Sequence, residues 1–148
     1  MVNELENLRR QQMTKIQNHE AMRQAIDFAS LHVAEGIYPT DIDGIIDYKG
    51  KCWIILEYKY NGAPLPDGQR WCLEHLVKRL EMTGIPALAI LADHDEGNPV
   101  NDIEAGYAIV RAVYMDKKWH IPKKETLVKD MVADYIKWAT DKMTVERT

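Results

Sequence analysis

The 148 residues, 46% hydrophobic and 28% charged, are enough for one globular domain with a sizeable core and exclude a disordered chain. No apolar run approaches the roughly 18 residues of a membrane span, and the opening MVNELENLRRQQ lacks the apolar core of a secretory signal, so a cytoplasmic chain with no membrane partner is expected. The net charge of −4 argues against tight, non-specific duplex binding, and Cys52 and Cys72, twenty positions apart, do not have zinc-ligand spacing and read as free core thiols.

Leu5, Leu8, Gln12, Ile16, His19, Met22, Ile26, Ala29 and Val33 recur at helical spacing, which predicts helix over 4–34, ended by Gly36 and Pro39. The Ile-rich stretch 40–48 predicts a strand, Lys49, Gly50 and Lys51 a tight turn, and 52–60 a second strand. Trp53, Ile54, Ile55 and Leu56 make that second strand almost continuously apolar, as expected at the centre of a sheet. After a loop over 61–68, an amphipathic helix is predicted over 69–83, with Leu73, Leu76, Val77 and Leu80 inward. PALAILA, residues 86–92, reads as a buried strand and 93–101 as a polar loop. A strand over 106–115, a turn at 116–118, a short return over 119–121 and a closing helix over 126–142 complete the chain. The order α-β-β-α-β-β-(β)-α implies a single α/β domain over 1–148, a central mixed sheet flanked by helices.

Charged residues inside the predicted hairpin need a reason, because a charge removed from water is costly unless paired or bound to a cation. Side chains on a strand alternate faces. Asp41, Asp43, Ile45 and Asp47 therefore share one face of the first strand, and Trp53, Ile55, Glu57 and Lys59 one face of the second. Folding about residue 50 brings Asp43 opposite Glu57. Two carboxylates so close repel unless a cation lies between them, and hard oxygen ligands suit Mg²⁺ or Mn²⁺ better than Zn²⁺.

Asp43 followed fourteen positions later by Glu57-Tyr58-Lys59 resembles the signature of the PD-(D/E)XK nuclease superfamily, with Gln69 heading the next helix as in several of its branches. The likeness covers residues 18–93. The family proline stands at Pro39, but Thr40 and Asp41 follow it, so either Asp41 or Asp43 can be the ligand; spacing and place in the hairpin favour Asp43. The resemblance implies a restriction-endonuclease-like core of α-β-β-α-β order with further strands and a C-terminal helix. It also implies divalent-metal-dependent hydrolysis of phosphodiester bonds, of DNA more than RNA. Asp43, Glu57 and the backbone carbonyl of Tyr58 are then the implied Mg²⁺ or Mn²⁺ ligands. Lys59 and Gln69 are the implied catalytic partners, and Glu20, or alternatively Glu35, the carboxylate from the first helix. A chain without a separate sequence-reading domain suggests recognition of structure or ends, a homodimer, or a partner protein, as in a phage or mobile element. The rival expectation is a nuclease-fold binding module without activity, such as an inhibitor of a nucleic-acid enzyme, which an acidic surface suits.

The remaining candidates are weaker. The five histidines are scattered, and His19 reads as a core residue. Asp93-His94-Asp95-Glu96 reads as a polar loop more than a metal site. Arg111, Lys117, Lys118, Lys123, Lys124 and Lys129 read as a solvated basic face. The four tryptophans are expected in the core, with Trp119 also placed to stack on a base.

Overall fold

The computed structural model describes residues 25–31 and 34–146. The chain divides into two compact units, Met1–Pro39 and Thr40–Thr148; the sequence reading draws no boundary there.

In the first unit, residues 25–31 are not helical, contrary to the predicted helix, whose residues 4–24 lie outside the described ones. The cause is local: the Asp27 carboxylate accepts the Ala29 N–H at 2.9 Å, and the Leu31 N–H turns back to the Phe28 carbonyl at 2.9 Å. A short side chain that satisfies the backbone in this way competes with helical bonding. A single 3₁₀ turn, Ala34–Gly36, follows, with Glu35 and Gly36 both left-handed at φ 66° and 72°.

The second unit is a five-stranded mixed sheet with one helix on each face. Strands β1 (Gly44–Tyr48), β2 (Cys52–Tyr60), β3 (Ala87–His94), β4 (Ile109–Met115) and β5 (Lys118–His120) lie side by side in that order. Only β2 and β3 run parallel; the other neighbours are antiparallel. Helix α1 (Asp67–Met82) joins the parallel pair and helix α2 (Val128–Glu146) closes the chain. The mixed α/β sheet flanked by helices is the coarse architecture read from the sequence.

The boundaries shift for physical reasons. The first strand starts at Gly44 and not at residue 40, because a bend at Asp43 turns the chain away from the ladder. Helix α2 starts at Val128 and not at 126, because the backbone on either side of Leu127 bonds to β4: the Val110 N–H donates to the Thr126 carbonyl, and the Val128 N–H to the Ala108 carbonyl. At the β1–β2 turn Lys49 and Gly50 are both left-handed, at φ 54° and 67°, as the right-handed twist of a hairpin demands.

The core has two leaves. On the α1 face, Ile55, Ala87, Ala89 and Tyr114 pack against Leu73 and Val77. On the α2 face, Cys52, Ile54, Leu88, Ile90, Val110 and Val113 pack against Val128, Tyr135 and Ala139. Strands β2 and β3 are covered on both sides, which is why their sequences are apolar without alternation. Cys52 is buried, Cys72 half-buried, and both thiols are free. Two tryptophans depart from the expected core: Trp71 and Trp138 are about half exposed.

Candidate active site at the end of the central hairpin

The hairpin register decides where the charges meet. Gly44 lies opposite Leu56, the last pair of the ladder; one step further out the sequence expects Asp43 opposite Glu57, and there the chain bends out of the strand. At that point Asp43 contributes its side chain: its Oδ2 accepts the Tyr58 N–H at 2.7 Å. The carboxylate takes the donor that a further strand residue would otherwise have bonded, and this ends the ladder.

Glu57 is 3% exposed and is the one buried charged side chain among the described residues. Its Oε1 pairs with Lys59 Nζ at 2.9 Å, while its Oε2 is buried with no hydrogen-bond partner. Burial pushes the Glu57 carboxyl pKa up, and the negative charges of Asp43 and Asp41 push it further; Lys59 opposes them. Asp43 and Asp41 therefore both lie within electrostatic reach of Glu57.

Lys59 is held from two sides. Besides Glu57, its Nζ donates to Gln69 Oε1 at 2.7 Å, which ties β2 to the first turn of α1. Strand alternation puts Glu57 and Lys59 on the α1 face of β2, two residues apart, so Gln69 can meet them only from this helix.

Tyr58 points its ring the other way. The hydroxyl donates to the Ala105 carbonyl at 3.1 Å and the ring packs with the α2-face core. Burial, then the Asp43 charge, raises the phenol pKa. Its peptide groups face β1. The odd-numbered Trp53 and Asn61 donate toward β3, to the Pro86 and His94 carbonyls, so the even-numbered Tyr58 presents N–H and C=O on the Asp43 side. Its carbonyl lies on that same side, beyond the last β1 pair.

Asp43, Glu57, Tyr58, Lys59 and Gln69 are thus brought together, and Asp41 lies nearby. Glu20 lies outside the described residues. Glu35 belongs to the other unit, in a left-handed exposed turn. Among the described residues no group of three or more His, Cys, Asp or Glu side chains converges in the manner of a metal site; Asp43 and Glu57 supply two carboxylates, and a backbone carbonyl lies outside such a count. The donor set is all oxygen, and the orphaned Glu57 Oε2 gives it a buried acceptor in need of a cation or proton. Those features fit a hard divalent ion.

One pair was not legible as part of this site. Asp93 on β3 is the register partner of Lys59. It accepts Arg111 Nε at 2.8 Å and a second bond from Arg111 Nη2, and its Oδ1 also takes the Gly62 N–H at 3.0 Å. The guanidinium holds the Asp93 carboxyl below the usual aspartate range. In the sequence Asp93 opens a polar run and Arg111 a basic one. The sequence carries no usable signal of the bulge: Val110 and Val113 pack on one face and Tyr114 on the other, and an apolar strand buried on both faces does not show which side each residue takes.

Trp119 is engaged inside the fold: its indole N–H donates to Glu74 Oε1 at 2.8 Å and its ring meets Tyr114 at 5.3 Å. That contact occupies the ring proposed for base stacking. No helix among the described residues is long and apolar enough to cross a membrane. Comparison with family models, with curated proteins and with solved structures gives no match to this chain.

Proposed function

We propose that this protein is a divalent-metal-dependent nuclease that hydrolyses phosphodiester bonds, in DNA more than in RNA, with a restriction-endonuclease-like core. One observation carries the reading: a buried glutamate with an unpartnered oxygen, set beside a second carboxylate and a lysine fixed by a glutamine. An ordinary surface ion pair needs none of this and contributes little stability.

Asp43, Glu57 and the Tyr58 carbonyl would hold Mg²⁺ or Mn²⁺. Such an ion supplies Lewis acidity toward a phosphate oxygen and a water. The chain's own residues do the rest. Lys59 directs its ammonium at the attacking water and offsets the negative charge on the phosphate oxygens in the transition state. Gln69 would hold that ammonium in place without relying on Glu57. Glu57 sits in a dry wall, where its interaction with a cation is stronger than in bulk water.

The alternative is a nuclease-fold module that binds or inhibits a nucleic-acid enzyme without cutting; the acidic net charge and the two-carboxylate count favour it. Incubation with plasmid and single-stranded DNA, in Mn²⁺ or in EDTA, separates the two. Cutting that needs the metal and disappears in Lys59→Gln supports the enzyme. A protein that cuts neither DNA and takes up no Mn²⁺ by calorimetry supports the module.

A further inference from the structure

Strand β4 departs from a regular strand at one point, and the departure falls beside the site. Leu91 pairs with Ala112 and Ala92 with Val110, which leaves Arg111 as an extra residue in a β-bulge. A bulge bends its strand and re-aims a side chain. Alternation on β3 puts Ala87, Ala89 and hence Asp93 on the α1 face, the face of Glu57, Lys59 and Gln69. The two bonds from Arg111 to Asp93 show that the bulged side chain is turned to that face.

We propose that Arg111 is a second phosphate-binding cation of this site, aimed by the bulge and braced by Asp93, and that it grips a phosphate of the substrate strand next to the one attacked. The inference rests on the nuclease reading above and adds a substrate-binding residue to it.

The geometry of the guanidinium supports this use. Nε and Nη2 are spent on Asp93, which leaves Nη1 with no protein partner among the described residues, on a side chain 27% exposed. Asp93 is itself anchored by the Gly62 N–H, in the loop that leaves Lys59. The arginine is therefore held in one orientation, which lowers the entropy lost when its remaining N–H groups meet an anion. Arg111 reaches back over β3 to Asp93, the rung partner of Lys59, so its guanidinium is offset from the ammonium by one strand spacing, about 5 Å, across the sheet. That offset suits a neighbouring phosphate, with Lys59 left for the attacked one. The surroundings also demand it. Asp41, Asp43 and Glu57 make the mouth of the site negative on an acidic chain, so a polyanion needs cations placed within the site itself.

Two kinds of measurement test it. Binding of a fluorescent single-stranded oligonucleotide is followed by anisotropy across a salt series, with Lys59→Gln as the non-cutting background. Cleavage kinetics are followed in the otherwise native chain. Arg111→Gln is expected to weaken binding about tenfold and to lower the slope of log affinity against log salt by about 0.7, one phosphate contact of a single strand. In cleavage it is expected to raise KM far more than it lowers kcat, with Mn²⁺ uptake by calorimetry unchanged. Arg111→Lys keeps the charge and loses the fork, and is expected to bind with intermediate affinity; it serves if the glutamine variant folds poorly. A bracing role alone would move the melting temperature and leave the salt slope as it is. A native salt slope and KM in Arg111→Gln, or native affinity in Arg111→Lys, overturns the proposal. If the native chain cuts nothing but the salt slope still drops, the nuclease reading falls and the phosphate contact stands.

Discussion

Replacement of Glu57 by glutamine should make the metal-free protein more stable, and addition of metal should reverse the order. The substitution keeps shape and keeps an Oε1 acceptor for Lys59. It removes a charge that sits at 3% exposure with one oxygen unpartnered and two other carboxylates in reach. Lys59 is not stranded, because it is 18% exposed and still bonded to Gln69. Glutamine sets an amide NH₂ where Oε2 was, so a polar atom stays buried there; what is removed is the buried charge and its repulsion with Asp43 and Asp41, and a gain of about 1–2 kcal/mol in EDTA is expected. At this chain length the unfolding entropy is about 0.3 kcal/mol per kelvin, and the melting temperature should rise by about 3–6 °C. The pH dependence has a definite sign. A carboxyl whose pKa is raised by folding holds its proton more tightly folded than unfolded. The contribution of this group to native stability is therefore greatest in acid and declines as pH climbs from the ordinary glutamate range through the raised value. Glu57→Gln lacks that decline, so the gap between the two proteins opens across this window and closes in acid. Saturation with Mn²⁺ at a hundred times its dissociation constant would stabilise the native chain by about 2.7 kcal/mol, and the variant far less. Differential scanning calorimetry of both proteins, in EDTA and in Mn²⁺ over a pH series, reads every part of this. If Glu57→Gln melts below the native chain in EDTA, or if Mn²⁺ lifts both alike, the claim of a destabilised glutamate kept for a cation is wrong.

Lys59→Gln should lower cleavage by about 10²–10³, the usual loss for one group that stabilises transition-state charge, with Mn²⁺ uptake by calorimetry retained. Asp43→Asn should weaken Mn²⁺ binding at least tenfold, because the loss of a ligand charge matters more than the retained bond to the Tyr58 N–H. Ile54→Ala, at a position with no exposed surface between β2 and the α2 helix, should cost about 2–5 kcal/mol in urea unfolding without touching the site chemistry. Lys49→Asn should stabilise by about 0.5–1 kcal/mol in the same assay, since the left-handed φ of 54° suits asparagine better than lysine.

How far the sequence was legible follows from which interactions are local. The apolar runs of β2 and β3 and the turn at Lys49 and Gly50 are encoded within a few residues, and they fixed the hairpin and hence the meeting of Asp43 with Glu57. Gln69 was named from the family resemblance, and its place in the first turn of a helix after the loop that follows Lys59 could be read locally, although α1 begins two residues earlier, at Asp67. The helix predicted through 25–31 failed because helical spacing of apolar residues says nothing about Asp27 capturing the Ala29 N–H. Trp71 and Trp138 were misplaced because their neighbours in space come from other elements, and tryptophan's average burial was the only guide. The Asp93–Arg111 pair escaped because it joins residues eighteen apart through a bulge, and a strand apolar on both faces gives no local sign of one.

The places where this chain breaks the local rules of a sheet are not scattered. A buried charge in β2, a strand cut short at Asp43 and a bulge at Arg111 each carry a cost that a stability-optimised sheet would avoid. The buried charge and the bulge act on the α1 face, and Asp43 lies at the β1 edge within electrostatic reach of that charge. They also gather near the carboxyl ends of β2 and β3, the only parallel neighbours in the sheet. In open α/β sheets that end is where ligands bind, because the connections leave it as loops and not as packed helix. Independent accidents of folding would have no reason to select one face and one end. The proposed polyanionic substrate would select them, and on that proposal the register of Asp93 with Lys59 has a use: the side chain that braces Arg111 and the ammonium at the centre of the site occupy the same rung.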